Sequence, residues 1–323
     1  MVKFWFSNNE RTGGNIYNRN VLKVISDSYG VKKIELGVNS KIKGHTYFTE
    51  LLTKIFLNSN SDDINILDYG IASNMKNKKY NGKFITIFHH YDLTETRKIK
   101  KWRRLSDNFI KNCIRNNIKV IVVSKYWKDY LQKKGIKDVE VIYNSFNTDL
   151  YIPSKSRNQF LKYYGLNEKP IIYIGKNSIV KTYKTYKQIE KLKDKYQIVT
   201  TGKNIELEGP INLDLIFDDY VNLLYYSSLT ILLTPFKEGW SRIAHESILC
   251  GTPVIGNGSG GMRELLELTN QRVRESNELS LDEIKYIVKS GESVNEKDIN
   301  QIKIFDLDYF KKKWIGLLNA IKI

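Results

Sequence analysis

Two glutamates, Glu238 and Glu246, flank seven residues in PFKEGWSRIAHESILCGTPVIGNGSGGMRELLE, which runs from Pro235 to Glu267. A carboxylate accepts stronger hydrogen bonds than a neutral oxygen, so a pair of them suits the hydroxyls of a sugar and a ribose. Gly239 follows the first glutamate, and glycine lets a loop approach a ligand closely. Downstream, Asn257-Gly258-Ser259-Gly260-Gly261 leads to Glu264. A glycine-rich loop that opens a helix offers N–H groups and a positive dipole end to an anion. Two glutamates alone would be explained better by capping and solvation of a helix; the loop beside them makes the pair informative.

A second constellation is cationic. Tyr173-Ile174-Gly175-Lys176 ends an apolar run and Lys181 follows five residues later. Two cations at the mouth of a strand would neutralise a departing diphosphate without a metal. Thr12-Gly13-Gly14-Asn15 follows another apolar run, but it is not G-x-G-x-x-G, which argues against a nicotinamide enzyme. Phe88-His89-His90-Tyr91-Asp92 places imidazoles at a strand end, where they would touch a transferred group or orient an acceptor near neutral pH. Either histidine fits, with His89 preferred; His90 and Asp92 are the lesser candidates for the same contact. Arg97, Lys98, Lys100, Lys101, Arg103 and Arg104 surround Trp102, with Ile99, Leu105, Phe109 and Ile110 forming an apolar side. That basic amphipathic pattern fits an anionic lipid surface, the phosphates of a nucleic acid, or a solvated helix face.

Alternating apolar runs and helix-like stretches position these groups, which is the pattern of an α/β protein with parallel sheets. Strands are expected at Val2–Phe6, Phe84–Phe88, Val120–Val123, Ile171–Ile174, Gln197–Thr200, Leu229–Leu233 and Pro253–Ile255. Helices are expected at Ile16–Ser28, Thr96–Asn117 and Thr185–Lys193. Leu307–Ile323 has its apolar residues at near-helical spacing, which predicts an amphipathic terminal helix, with Asp306-Leu307-Asp308 as its cap and not a metal motif. The turn-rich segment YNSFNTDLYIPS divides the chain. Three parts follow: residues 1–150, residues 151–305 and the terminal helix, 306–323.

The chain has 323 residues, enough for two cores of ordinary size. Its net charge of +17 is uneven: residues 1–150 hold 27 Lys and Arg against 14 Asp and Glu. Such a half suits an anionic neighbour. The two cysteines, Cys113 and Cys250, form no framework or metal-ligand spacing, as in a reducing compartment. No apolar run approaches a membrane span and no signal peptide is evident, so a cytoplasmic, soluble or peripheral protein is expected.

The segment from Pro235 resembles the hallmark of glycosyltransferase family 4, E-G-F-G-x5-E-A-x2-C-G-x-P-V-I-x4-G-G-x2-E. Trp240 replaces the usual Phe, Ser241 replaces Gly and Ser247 replaces Ala. Lys176 stands at the family's arginine position and Lys181 at its lysine position, with Thr182 where glycine is usual. Gly13-Gly14, the histidine at the strand end, Val122-Val123-Ser124-Lys125 and Val141-Ile142-Tyr143-Asn144-Ser145 extend the likeness from Gly13 to Glu264.

The resemblance implies a GT-B fold: two Rossmann-like, doubly wound α/β domains facing a central cleft, with the last helix crossing back to the first domain. It implies that Glu238, His89, Lys181 and Lys176 carry the chemistry. Gly13, Gly14, Glu246, Gly239, Trp240, Ser241, Gly260 and Gly261 would line the donor site. The implied activity is retaining transfer of a hexose from a UDP- or GDP-linked sugar to a lipid-linked, glycan or protein acceptor, with no metal or cofactor. The alternatives are a nucleic-acid-associated protein using the basic half, and a GT-B-shaped protein that is not a transferase.

Overall fold

A computed structural model describes residues 1–6, 13–35, 55, 60–75, 80–90, 99–258, 260–275 and 277–322. The chain divides into two compact units, 1–145 together with 307–323, and 146–306.

In the first unit the elements run β1 (Val2–Phe6), α1 (Gly13–Ser26), β2 (Val31–Glu35), β3 (Ile64–Asp68), α2 (Tyr69–Asn74), β4 (Lys83–Phe88), α3 (Ile99–Arg115), β5 (Lys119–Val122), α4 (Lys125–Lys133) and β6 (Val139–Val141). Their six strands form one parallel sheet in the order β2-β1-β3-β4-β5-β6. Ile64, Ile66, Ile85, Ile87, Val120 and Val122 are all buried, as expected for strands covered on both faces. On one face Phe88, Phe109 and Trp127 pack as an aromatic cluster, which binds α3 and α4 to β4.

The second unit holds α5 (Arg157–Tyr163), β7 (Ile171–Lys176), α6 (Tyr183–Ile189), β8 (Gln197–Thr201), β9 (Ile211–Leu213), α7 (Phe217–Tyr226), β10 (Ser227–Leu232), α8 (Arg242–Leu249), β11 (Val254–Gly256), α9 (Gly260–Leu268), β12 (Arg272–Val273), α10 (Leu281–Ser290) and α11 (Glu296–Lys303). Its sheet is also parallel, ordered β12-β11-β10-β7-β8-β9. The chain goes outward from β7 in one direction, then returns to β10 on its other side. The order therefore reverses between β7 and β10, and in open α/β sheets ligands bind at the strands' carboxyl ends beside such a reversal.

The terminal helix, α12 (Leu307–Lys322), belongs to the first unit. Its fully buried Phe310 and Trp314 meet Tyr17 of α1 with ring centroids 5.0 and 6.4 Å away. Residues 146–150 fall in the second unit, five residues earlier than the sequence-derived division. Phe146 explains this: its N–H donates to the Phe305 carbonyl at 3.0 Å and its ring stacks on His245.

Most predicted strands are found within a residue or two. The helix expected from Ile16 begins at Gly13, so the two glycines lie inside its first turn. The helix expected over 185–193 is interrupted, with α6 ending at Ile189 and a 3-10 turn covering Glu190–Leu192.

Candidate active site

The loop after β7 is built around Asn177, which the sequence analysis did not single out, and Thr182. Asn177, fully buried, donates to Thr200 Oγ1 and the Leu207 carbonyl and accepts from the N–H groups of Glu206 and Leu207. It thereby ties the mouth of β7 to the segment after β8. Thr182, where the family has glycine, donates its hydroxyl to the Ser178 carbonyl at 2.6 Å and accepts from the Ser178 N–H at 3.1 Å. The loop is closed on itself, which fixes where Lys181 leaves it. Gly175 makes the bend at the strand end with φ +91°, open to glycine and rarely to other residues.

Lys176 and Lys181 are both exposed at this mouth. Lys176 runs past Gly202, where a Cβ would meet its Cγ at 3.5 Å. Lys181 places its ammonium 5.1 Å from the centroid of the buried Phe236 ring and close enough to Glu238 to pull down the carboxyl pKa. Among the described residues, Lys181 is thus the one of the two that is seen against the loop after β10.

That loop carries Glu238, Gly239, Trp240 and Ser241. Burial pushes the Glu238 carboxyl above its ordinary value, while Lys181 and a hydrogen bond with Ser241 draw it back. Ser241 stands at the N-cap of α8 but makes no capping bond with its side chain. Its hydroxyl serves Glu238 instead, a role that the glycine usual at this position cannot fill. Gly239 and Trp240 are buried. The Trp240 indole N–H donates to His245 Nδ1 at 3.2 Å, and its ring packs on Phe305.

The second glycine-rich segment meets this loop directly. Glu238 and Gly260 form an isolated parallel bridge, and the Gly261 N–H donates to the Glu238 carbonyl at 2.8 Å. This corrects part of the sequence expectation: the Gly261 N–H at the start of α9 is committed to Glu238 and is not open to an anion.

Glu246 lies on α8, 7% exposed. Tyr151 and Tyr220 donate their hydroxyls to it at 3.2 and 2.8 Å, and Arg242 Nη2 reaches it at 3.1 Å. Burial first, and then the Glu246 charge, raise the pKa of both tyrosines, so both stay protonated donors. The Arg242 guanidinium sits 4.4 Å from the centroid of Phe146, and its Nη1 is buried with no hydrogen-bond partner among the described residues. His245 stacks on the Phe146 ring with centroids 3.7 Å apart, and burial lowers its pKa well below the ordinary value. None of Tyr151, Tyr220, Arg242 and His245 was anticipated. Arg242 and His245 lie inside the recognised motif, but no spacing rule marks a distant tyrosine as a carboxylate's partner.

The first unit holds the other candidates. Gly13 and Gly14 open α1, and a Cβ on Gly14 would stand 3.0 Å from His89 Cδ2. Glycine thus lets the helix start lie against the imidazole. Tyr17 packs edge-on to that ring at 5.2 Å, and its hydroxyl donates to the Ile142 carbonyl at 2.9 Å. Burial, then the charge of His90, lowers the His89 pKa to about 3, so His89 is neutral at physiological pH. Its Nε2 has no hydrogen-bond partner among the described residues. His90 is exposed. Arg104 is exposed on α3; Lys100, Lys101 and Arg103 are on the same helix. Asp92, Arg97 and Lys98 lie outside the described residues.

No family model matches the chain. Over 99% of its length it superposes on 98% of sucrose-phosphate synthase from Thermosynechococcus elongatus, with a TM-score of 0.76 and 13% identity. It likewise matches 99% of Anabaena HepE, solved in complex with UDP-glucose, at a TM-score of 0.72 and 14% identity. The chain has the GT-B fold. A glycosyltransferase from Rickettsia africae shares it at a TM-score of 0.66 and 17% identity, over 99% of this chain and 97% of that one. In sequence the chain is 27% identical over 151 residues to N-acetyl-alpha-D-glucosaminyl L-malate synthase of Bacillus anthracis, covering 42% of this chain. It is 24% identical over 220 residues to an uncharacterized 42.6 kDa protein in the cps region of Klebsiella pneumoniae, covering 64% of this chain. It spans 39% and 54% of the length of those two relatives. Within this GT-B chain, Lys181 lies over Phe236 and near enough to the Glu238 carboxyl to lower its pKa, beside the strand-order reversal of the second sheet.

Proposed function

We propose that the chain is a retaining glycosyltransferase that moves a hexose from a nucleoside-diphosphate sugar to a lipid-linked, glycan or protein acceptor, without a metal. The observation that carries this reading is the convergence of Lys181, Glu238 and Ser241 at the carboxyl ends of β7 and β10. A carboxylate beside a cation, at the end of a parallel sheet, suits a ligand with hydroxyls at one end and phosphates next to them. HepE binds UDP-glucose on the same fold, which supports a nucleotide-sugar and favours UDP.

In the proposed reaction Glu238 accepts hydrogen bonds from hydroxyls of the transferred sugar, and Ser241 and Lys181 hold that carboxylate in place. The acceptor hydroxyl attacks the anomeric carbon on the face that the diphosphate leaves. The carbon–oxygen bond to the β-phosphate breaks, and a β-phosphate oxygen takes the acceptor's proton. Lys181 and Lys176 stabilise the charge that develops on the diphosphate, which is the role a metal would otherwise fill. His89 is neutral, so it contributes a hydrogen bond to sugar or acceptor and not a positive charge. The basic first unit, with Arg104 exposed on α3, favours an acceptor at an anionic membrane face.

Incubation with UDP- and GDP-hexoses, with and without EDTA, tests the reading. Release of nucleoside diphosphate in both conditions is expected. Salt-sensitive retention on anionic liposomes, and weaker retention on DNA, is expected if the basic half meets lipid.

A further inference from the structure

The Glu246 carboxylate is largely occupied before any ligand arrives. A carboxylate offers about four acceptor positions, two on each oxygen. Oε1 accepts from the Tyr151 hydroxyl at 3.2 Å and from Arg242 Nη2 at 3.1 Å. Oε2 accepts from the Tyr220 hydroxyl at 2.8 Å. Among the described residues this leaves a single open position, on Oε2. The Tyr220 donor is itself held: its ring is 6.3 Å from that of Tyr173, the two hydroxyls are hydrogen-bonded, and Thr201 Oγ1 lies 2.9 Å from the Tyr173 hydroxyl.

We propose that Glu246 accepts one ribose hydroxyl of the nucleotide and not the 2′,3′-diol, and that Tyr220 is the positioning residue that imposes this. The inference rests on the glycosyltransferase reading, in which, as the resemblance of the Glu238–Glu264 segment implies, Glu246 faces the nucleotide's ribose. A free carboxylate engages a diol with both oxygens. Here one oxygen is saturated and the other is half occupied, so the second hydroxyl finds no acceptor on Glu246. The site then distinguishes the two hydroxyls of the same ribose.

The test is calorimetric binding to the full chain of UDP, GDP and ADP and of their 2′-deoxy and 3′-deoxy forms. For the nucleotide that binds, one deoxy form should bind about tenfold more weakly and the other within about twofold of the parent. Tyr220→Phe removes the competing donor and opens a second position on Oε2. In that variant the previously indifferent deoxy form should also lose about threefold or more against the parent. A tyrosine with a merely structural role would weaken all three ligands alike and leave their ratios unchanged. Tyr151→Phe, which opens a position on Oε1, provides the same readout if Tyr220→Phe does not fold. Equal losses for the two deoxy forms of the native chain, or no loss for either, would overturn the single-hydroxyl proposal. Unchanged ratios in both variants would overturn the role of Tyr220. Failure of all three parent nucleotides to bind would overturn the transferase reading and this inference together, and that result appears before any deoxy form is compared.

Discussion

The backbone of Gly260 lies so close to that of Glu238 that a Cβ at residue 260 would stand 2.3 Å from the Glu238 carbonyl oxygen. Gly260 also has φ +67°. Steric and conformational requirements thus coincide at one residue, and together they pin the loop bearing Glu238 to the start of α9. Gly260→Ala should lower the stability of the second unit by about 1–3 kcal/mol and displace Glu238. Denaturant unfolding and nucleotide-sugar turnover should both fall. A variant that keeps native turnover would show that this junction does not set the position of Glu238.

Glu238 is the site's carboxylate with a raised pKa, and the sign of its effect on stability follows. A carboxyl that binds its proton more tightly when folded loses stability as pH rises from its ordinary value through the raised one. Glu238→Gln removes this loss. At pH 7 the variant should be as stable as the native chain or more stable, and the difference should shrink as pH falls toward about 4.5, the ordinary value, and be gone below it. Thermal midpoints across pH 4–8 check this. A marked loss of stability at pH 7 would make Glu238 a structural residue.

Two histidines with lowered pKa values predict the opposite trend at mild acidity. His89 is lowered to about 3, and His245 is moved well below its ordinary value, both by burial. Each binds a proton more readily when unfolded, so stability is full above about pH 6.5 and declines as pH falls from there. Each contributes a slope of at most about 1.4 kcal/mol per pH unit. Urea unfolding at pH 7 and pH 5 should show the loss. His245→Gln should reduce the slope for the second unit, and His89→Gln for the first.

Arg242 neutralises a carboxylate that is almost fully buried, with side-chain exposures of 18% for the arginine and 9% for Glu246. Removing one partner of such a pair leaves a buried charge. Arg242→Ala should cost about 3 kcal/mol, toward the low end for buried pairs because Tyr151 and Tyr220 still donate. The double change Arg242→Leu with Glu246→Leu should recover much of that loss in denaturant unfolding, while abolishing nucleotide binding. A cost of less than about 0.5 kcal/mol for the single change would mean that the pair behaves as a solvated surface one.

The fold was readable because its strands are short β-branched runs buried on both faces. Phe84–Phe88, Ile171–Ile174 and Leu229–Leu233 announce themselves by composition alone. The edge strands do not: Ile211–Leu213 and Arg272–Val273 are three and two residues long, and Val31–Glu35 carries two lysines. The polar heart of the candidate site was readable where it is local in sequence, as with Glu238, Ser241 and Gly260. Its supporting partners come from far along the chain. Tyr151 is 95 residues from Glu246 and Tyr220 is 26. Asn177, 30 residues from Leu207, has the same character. Such contacts depend on how strands are ordered in the sheet, and periodicity within one segment carries no trace of them. The expected anion-binding N–H of Gly261 failed for a related reason, because its acceptor is a backbone carbonyl that no side-chain pattern reveals.

The most direct test of the account is nucleoside diphosphate release from UDP-hexoses by the native chain, Glu238→Gln and Lys181→Ala, with thermal midpoints measured in parallel. The account predicts turnover by the native chain, losses of about 100-fold or more in both variants, and melting within about 2 °C of native for Lys181→Ala. Turnover that persists in either variant, or no release from any nucleotide-sugar by the native chain, would contradict it.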